Sequence, residues 1–200
     1  GGVPVTFIQQ NPGKEVPAVL VDNYGGMAEL TEHLIAHGYK RFAYITGTNY
    51  TPDNAERLRA IRYTLETHGL SLPKEAVVEG NYLRGSGYRA MLNLLELPER
   101  PEVVIAGNDQ MAVDAILAAQ EHGLRIPEDI AITGFDDVPM ASYISPPLTT
   151  IHQPIYEVGE HAARLALDLL RANTEGRKIV PARVILPTKL VIRRSCGCNH

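Results

Sequence analysis

Short apolar runs alternate with amphipathic helical segments through most of the chain, and this alternation restricts the possible fold more than any other feature. The runs rich in β-branched residues lie at 42–46, 76–78, 103–106 and 130–133, and a helical segment separates each from the next. Parallel strands joined by helices form right-handed crossovers. The sequence therefore predicts an α/β fold with a parallel sheet of at least four strands.

Both ends of the chain extend this pattern. Further strands are predicted over 3–8, 18–21, 184–186 and 190–192, with a Pro/Gly turn at 11–13. The predicted helices lie at 24–37, 51–69, 88–97, 111–122 and 154–170. The first two strands have no helix before them, and the last helix needs a lobe on which to pack. These features suggest a piece of a longer protein.

Composition argues against several classes of protein. The chain has 44% hydrophobic residues, a formal net charge of -4 and no large basic cluster, so by itself it is expected to bind DNA poorly. Its apolar runs are all much shorter than the roughly 20 residues that span a bilayer. Residues 1–4 do not resemble a signal peptide. Because Cys196 and Cys198 are too close in sequence for an ordinary structural disulfide, we expect a cytoplasmic protein.

Two adjacent carboxylates, Asp136 and Asp137, follow the strand predicted at 130–133, after a bend at Gly134. Ligands of open parallel α/β sheets bind outside the carboxyl ends of the strands, where these groups can accept hydrogen bonds. Two alternatives are a simple turn and an acid/base pair. Because no recognisable nucleophile or Cys/His pair at catalytic spacing accompanies the carboxylates, catalysis is the weaker interpretation.

Three other sites with polar or aromatic residues occupy comparable positions, and each has a structural and a functional interpretation. Asn108 with Asp109 is typical of a helix cap but also lies at a strand end. Arg57 is either a solvated helix residue or a fork of donors for a ligand. Tyr82 is either a half-buried loop residue or a platform on which a ring stacks.

Neither the C-terminal cysteines nor the glycine pairs predict a cofactor. Cys196, Cys198 and His200 offer three soft ligands without a fourth nearby, so a disordered or loosely packed tail is favoured over a metal site. Gly25–Gly26 and the Gly85-Ser86-Gly87 segment lack both the P-loop lysine and the dinucleotide-binding spacing. We therefore expect neither a metal nor a nucleotide cofactor.

As an ordered set, the motifs resemble the effector-binding domain of the LacI/GalR family of bacterial transcription regulators. The resemblance covers nearly the whole chain. The segments that carry it are at 21–22, 32–34, 38–41, 45–47, 56–59, 108–112, 123–127, 132–137, 147–151 and 190–196.

The resemblance implies a periplasmic-binding-protein-like fold with two Rossmann-like lobes. It assigns 23–152 and 181–200 to a complete C-terminal lobe, and 1–22 and 153–180 to a partial N-terminal lobe. The family's helix-turn-helix is not expected within this chain. Operator DNA would then be contacted only through such a segment, in a cytoplasmic homodimer.

The resemblance also implies a ligand site in the cleft between the lobes. The implied effector is a sugar or a nucleobase-like molecule, and its binding would favour a closed arrangement that changes the DNA-binding state. The family's cleft contacts fall on seven residues of this sequence: Asp22, Asp53, Arg57, Tyr82, Asn108, Asp136 and Gln153.

Three other functions remain as alternatives. A periplasmic-type sugar-binding protein has a related fold, but the segments at 108–112 and 134–137 favour the regulator. A sensor domain fused to a signalling kinase or cyclase would continue beyond His200. An enzyme is the least favoured, because the sequence contains no catalytic constellation.

Overall fold

The structure is a computed structural model that describes residues 5–9, 16–48, 51–177 and 182–198. The predicted turn at 11–13 and the start of the first predicted strand lie outside these residues. The strands are β1 (Phe7–Ile8), β2 (Ala18–Val21), β3 (Phe42–Thr46), β4 (Val77–Glu79), β5 (Val103–Ala106), β6 (Ala131–Thr133), β7 (Thr150–His152), β8 (Arg183–Leu186) and β9 (Lys189–Val191). The helices are α1 (Asn23–Ala36), α2 (Pro52–Thr67), α3 (Ser86–Leu95), α4 (Asp109–Glu121) and α5 (Ile155–Thr174).

The large sheet has the strand order β4-β3-β5-β6, and every pairing in it is parallel. This confirms the predicted sheet of four strands separated by helices. The central strands β3 and β5 are buried along their whole length, as expected for a parallel sheet covered on both faces. Their side chains Phe42, Tyr44 and Ile105 contribute to the main hydrophobic core. Helix α1 packs against α2, and α3 packs against α4.

The small sheet has the order β1-β2-β8 and is also parallel. Helix α5 covers it, with Val158 and Ala162 packed on Val19 and Val21 of β2. Strand β8 differs from the expectation that everything after residue 181 returns to the lobe of the large sheet. It pairs with β2 along four residues, because its backbone completes the edge that the β1–β2 pair leaves open.

The last segment of the chain is docked on the lobe of the large sheet. Strand β9 pairs antiparallel with β7, and the Thr149 amide donates to the Ser195 hydroxyl at 2.9 Å. Cys196 is fully buried within the main core. The expectation of a disordered or loosely packed tail is therefore wrong for residues 196–198, because sequence spacing did not reveal the surface that receives them. Residue His200 lies outside the described residues.

Polar residues precede three of the helices, and of these Asn108 and Thr51 were predicted as caps. Asp22 precedes α1 and accepts from the Gly25 amide at 2.7 Å, and Asn108 precedes α4 and accepts from the Met111 amide at 3.0 Å. Thr51 occupies the N-cap position of α2 and is followed by proline as predicted, but its side chain does not cap the helix. These caps fix the ends of helices that begin at the carboxyl edge of a sheet.

Among the described helices, none is both long and apolar enough to cross a lipid bilayer.

Replacing Ile105 by alanine should lower the free energy of unfolding by about 2–5 kcal/mol, because it opens a cavity in a fully buried central strand. Ile185 of β8 is 62% exposed, so Ile185→Ala should cost less than about 0.5 kcal/mol. Urea unfolding followed by circular dichroism measures both changes. Equal losses would contradict the placement of β5 at the centre of the core.

Candidate ligand-binding site at the strand ends

The carboxyl ends of the large sheet's four strands face one edge, because the strands are all parallel. Most of the polar side chains predicted for the site follow these ends or lie in the first turns of the next helices. The seven predicted site residues, called the strand-end cluster below, are Asp22, Asp53, Arg57, Tyr82, Asn108, Asp136 and Gln153.

Arg57 lies at the centre of the strand-end cluster. Its Nε donates to Asn23 Oδ1 at 2.7 Å, and its Nη1 donates to the Gly107 carbonyl at 2.6 Å. The guanidinium lies 3.7 Å above the ring centroid of Phe135, a cation–π distance. Arg57 is only 6% exposed, so its interpretation as a solvated helix residue is wrong. Packing on Phe135 and bonding to two neighbouring elements withdraw it from solvent.

Helix α2 also carries two partly buried carboxyl groups, those of Asp53 and Glu56. Burial raises the pKa of Asp53, while Arg57 and a hydrogen bond with Asn23 act in the opposite direction. Burial also raises the pKa of Glu56, as do the nearby charges of Asp53 and Asp22. The helix thus presents acidic groups that have lost part of their hydration. Asp22 reaches this region from the end of β2, where it also caps α1.

Tyr82 and Asn108 are joined across two strand ends. Asn108 Nδ2 donates to the Tyr82 carbonyl at 3.2 Å, while its Oδ1 caps α4. The Tyr82 ring covers the backbone at the end of β3, since a Cβ on Gly47 would lie only 1.8 Å from the ring's Cζ. Burial raises the pKa of Tyr82, and the charge of Arg57 partly offsets this effect. The half-buried tyrosine therefore has a fixed position beside the arginine.

Asp136 and Gln153 connect the two sheets. Gln153 Nε2 donates to Asp136 Oδ1, and the Gln153 side-chain carbonyl accepts from Gln9 Nε2 at 2.6 Å. Gln9 follows β1 of the small sheet, whereas Asp136 follows β6 of the large sheet. Burial raises the pKa of Asp136, with Arg57 and the Gln153 hydrogen bond opposing that shift. A continuous hydrogen-bonded chain thus runs from one lobe to the other.

Asp137 has a different environment from Asp136. Its Oδ1 accepts from Arg193 Nη2 at 2.7 Å, and its Oδ2 lies 3.0 Å from His152 Nδ1. Both oxygens are therefore engaged with the C-terminal segment and with β7. The one side-chain hydrogen bond described above for Asp136 engages only its Oδ1, with Gln153.

Backbone strain is concentrated in the same region. Tyr82, Asp136 and Asp137 have positive φ angles of 65°, 125° and 59°. Non-glycine residues seldom adopt such angles, and they persist where the surroundings impose them, often at binding sites. Here the strained residues follow β4 and β6, the two outer strands of the large sheet, at its carboxyl edge.

Asp109 also supports the site. The sequence indicates it mainly as part of a helix cap. It is fully buried, with Oδ1 accepting from the Thr150 hydroxyl at 2.5 Å and Oδ2 accepting from the Val138 amide at 2.8 Å. Its own amide donates to the Phe135 carbonyl. Asp109 thereby holds the loop that carries Asp136. Burial raises its pKa to about 7, against the two hydrogen bonds.

Sequence reasoning also missed Asn23 and Gln9. Asn23 directly follows Asp22 at a strand-to-helix turn, the same signal that identified Asn108. Gln9 had no such signal, because its role depends on the meeting of the two sheets. It lines a groove of about 610 Å³ together with Asp136, Gln153, Ile155 and Tyr156. This groove is large enough to admit a small molecule.

Comparison with known proteins identifies the class. The family model described as a periplasmic binding protein-like domain matches residues 31–196. The chain therefore belongs to the periplasmic binding protein-like domain family, which confirms the predicted fold class.

Proteins that are similar to this chain in sequence are transcriptional regulators. The chain is 33% identical to the HTH-type transcriptional repressor CytR of Escherichia coli K12, over 92% of this chain and 53% of that protein. It is also 33% identical to catabolite control protein A of Priestia megaterium, over 90% of this chain and 54% of that protein. It thus spans about half the length of these relatives.

Solved structures lead to the same group. A complex of the transcriptional regulator CelR with cellobiose superposes with a TM-score of 0.88 at 33% identity, over 95% of this chain and 58% of that chain. A regulatory protein of the LacI family from Chloroflexus aggregans superposes with a TM-score of 0.84 at 33% identity, over 96% of this chain and 68% of that chain. The resemblance to the effector-binding domain of LacI/GalR regulators is confirmed.

The wild type should lose stability as the pH rises towards 7, and Asp109→Asn should not show this loss. The pKa of Asp109 is about 7 in the folded chain and 3.8 ordinarily, so the folded state keeps this proton longer. The resulting stabilisation is complete below the ordinary pKa and is lost as the pH rises towards 7. Asparagine can donate to Thr150 and accept from Val138 at every pH. Urea unfolding at several pH values should show the wild type losing stability relative to Asp109→Asn.

Asp129→Asn is the matched control for this experiment. Hydrogen bonds from Arg125 lower the pKa of Asp129 to about 2, so its contribution to stability is lost only at more acidic pH. The free energy of unfolding of Asp129→Asn should change with pH in the same way as that of the wild type between pH 4 and 7. A parallel profile for Asp109→Asn as well would show that Asp109 is ionised throughout this range.

Proposed function

We propose that the strand-end cluster binds a small polar effector and that the chain is the sensing domain of a bacterial transcription regulator. The observation that carries this proposal is the convergence of Asp136, Arg57 and Tyr82 at one sheet edge. The other proposed contacts are Asp22, Asp53, Asn108 and Gln153.

The chemistry of the cluster favours a ligand rich in hydroxyl groups. Asp53 and Asp136 are partly desolvated carboxyl groups, and ligand hydroxyls that donate to them would replace lost hydration. The Tyr82 ring offers an apolar face for a sugar or base ring. A related structure contains cellobiose, a disaccharide, which supports a sugar as the first effector to test. A nucleobase-like molecule is the second.

The hydrogen-bonded chain from Gln9 through Gln153 to Asp136 suggests how binding would be transmitted. An effector that bonds to Asp136 would compete for Gln153 and would contact groups of both lobes. It would then favour the lobe arrangement in which both sets of contacts are made. A ligand shifts such an equilibrium only by the difference between its affinities for the two arrangements.

In the proposed regulator, the change in lobe arrangement alters operator binding. DNA contacts would come from a helix-turn-helix outside these 200 residues, in a cytoplasmic homodimer with a regulatory rather than an enzymatic role. The relatives named above are repressors or regulators, which supports this part of the proposal.

A thermal-shift panel tests effector binding directly. Cellobiose, other mono- and disaccharides, purine bases and nucleosides are each added in excess to the 200-residue chain. An effector that binds only the folded state raises Tm, because binding at 100 times Kd contributes about 2.7 kcal/mol. At least one of these compounds should raise Tm with saturable dependence on concentration. If none does, the proposed effector class is wrong.

Asp136→Asn should weaken the binding of that compound by roughly tenfold to a hundredfold. The reason is that hydrogen bonds to a charged group contribute about 1.5–3 kcal/mol. Asparagine tolerates the positive φ angle at this position better than most residues. Calorimetric titration measures the affinity of each variant.

The control is Asp137→Asn, which alters the same loop by the same chemical change. Asp137 is engaged with Arg193 and His152, so this variant should lower Tm while leaving affinity nearly unchanged. Loss of affinity in Asp137→Asn but not in Asp136→Asn would show that the wrong carboxylate was assigned. Unchanged affinity in both variants would place the binding site elsewhere.

A further inference from the structure

Four soft metal-ligating side chains converge at the far end of α1, away from the strand-end cluster. They are His33 of α1, His37 directly after α1, and Cys196 and Cys198 of the C-terminal segment, and are called the Cys/His cluster below. One ligand atom from each residue lies within 4.8 Å of all the others. The expectation that no fourth soft ligand lies near the C-terminal cysteines is therefore wrong. Sequence spacing could not reveal His33 and His37, because they are about 160 residues away in sequence.

Local structure explains why the four side chains point to one place. His33 lies in the last turn of α1 and His37 follows four positions later, directly after the helix, so both side chains lie on one face. Between the cysteines, Gly197 has a φ angle of 95°, in the left-handed region that favours glycine. A Cβ there would lie 3.1 Å from Tyr39 Oη. The turn at Gly197 brings both sulfur atoms to the histidine face.

The separations match those required around a tetrahedral ion. With Zn–S near 2.3 Å and Zn–N near 2.0–2.1 Å, neighbouring nitrogen and sulfur ligands are about 3.6 Å apart. His33 Nε2 lies 3.4 Å from Cys196 Sγ and 3.7 Å from Cys198 Sγ. His37 Nε2 lies 3.0 Å from Cys198 Sγ. Small side-chain shifts would therefore be enough to place an ion at the centre.

We propose that the Cys/His cluster is a structural site for Zn²⁺ or a similar borderline-soft divalent cation. Two thiolates and two imidazoles form a donor set that suits zinc, and four protein ligands leave no coordination position for a substrate. The site would fasten the end of the chain to α1. Nothing in this proposal depends on the effector or on DNA binding.

Neighbouring groups hold the ligands in position. Tyr39 Oη donates to the Cys196 carbonyl at 3.1 Å, and the Tyr39 ring stacks on His37 with centroids 6.2 Å apart. The Thr149 hydroxyl lies 3.1 Å from Cys196 Sγ, where it can donate to a thiolate. Such contacts around the ligands orient them and raise metal affinity.

The position of the cluster separates its role from that of the ligand site. Helix α1 begins at the strand-end cluster with Asn23 and ends beside His37. At 1.5 Å per residue, these ends are about 20 Å apart. Metal binding would therefore stabilise the docked tail without contacting an effector at the strand-end cluster.

Metal content of the purified 200-residue chain tests the proposal. The chain is prepared under reducing conditions without an added histidine tag, equilibrated with a slight excess of ZnCl₂, desalted and measured by mass spectrometry of the elements. About one zinc per chain is expected. Replacement of zinc by Co²⁺ should give the strong visible absorption of tetrahedral cobalt and a thiolate-to-cobalt charge-transfer band.

Two ligand variants and one control identify the site. Cys198→Ser and His37→Asn should each weaken zinc binding by more than about 100-fold, the upper range for loss of a supporting contact around a metal ligand. Both positions are partly or fully exposed, so circular dichroism should show a retained fold. His68→Asn is the control, because His68 is an exposed histidine that pairs with Glu32 and lies outside the cluster.

Zinc should also raise Tm of the wild type and of His68→Asn, but not of Cys198→Ser. The proposal is overturned if the reduced wild type holds no stoichiometric zinc and gives no cobalt–thiolate band. It is equally overturned if Cys198→Ser or His37→Asn keeps wild-type affinity. A Cys196–Cys198 disulfide that persists under the reducing conditions would also exclude the site.

Discussion

The buried guanidinium of Arg57 is the interaction on which the geometry of the strand-end cluster depends. It joins α2, the start of α1 and the end of β5 through two hydrogen bonds, and it stacks on Phe135 after β6. A buried cation needs such partners, because an unpaired charge in a weakly polar interior is strongly disfavoured. Its charge in turn opposes the upward pKa shifts that burial gives to Asp53 and Asp136. One side chain thereby fixes both the shape and the electrostatics of the site.

Asp109 has the complementary role in the core beneath the site. Its carboxyl group binds Thr150 of β7 and the amide of Val138, so it connects the loop after β6 to the strand that leaves the lobe. The strained residues Asp136 and Asp137 lie between Phe135, whose carbonyl accepts from the Asp109 amide, and Val138. Rigid attachment at both ends is what allows such a strained loop to persist. The two lobes then meet through the hydrogen bond between Gln9 and Gln153.

The periodic features of the sequence predicted the fold well. The ranges of β2, β3 and β5 were predicted to the residue, and the ends of α1 and α4 to within two residues, because apolar periodicity and local caps determine them. The parallel order of the large sheet followed from the alternation of strands and helices. Strand β8 was misplaced because its pairing with β2 depends on a contact between segments about 165 residues apart.

By itself, the sequence determined the α/β class, the helix caps and the polar residues that lie at the strand ends. These properties depend on residues close together in the chain, or on a family resemblance carried by short motifs. Only the tertiary structure decided that Arg57 is buried, that Gln9 reaches Gln153, and that His33 and His37 meet Cys196 and Cys198. Each of these depends on which distant segments pack together, because burial and ligand geometry are properties of the assembled lobes rather than of local spacing.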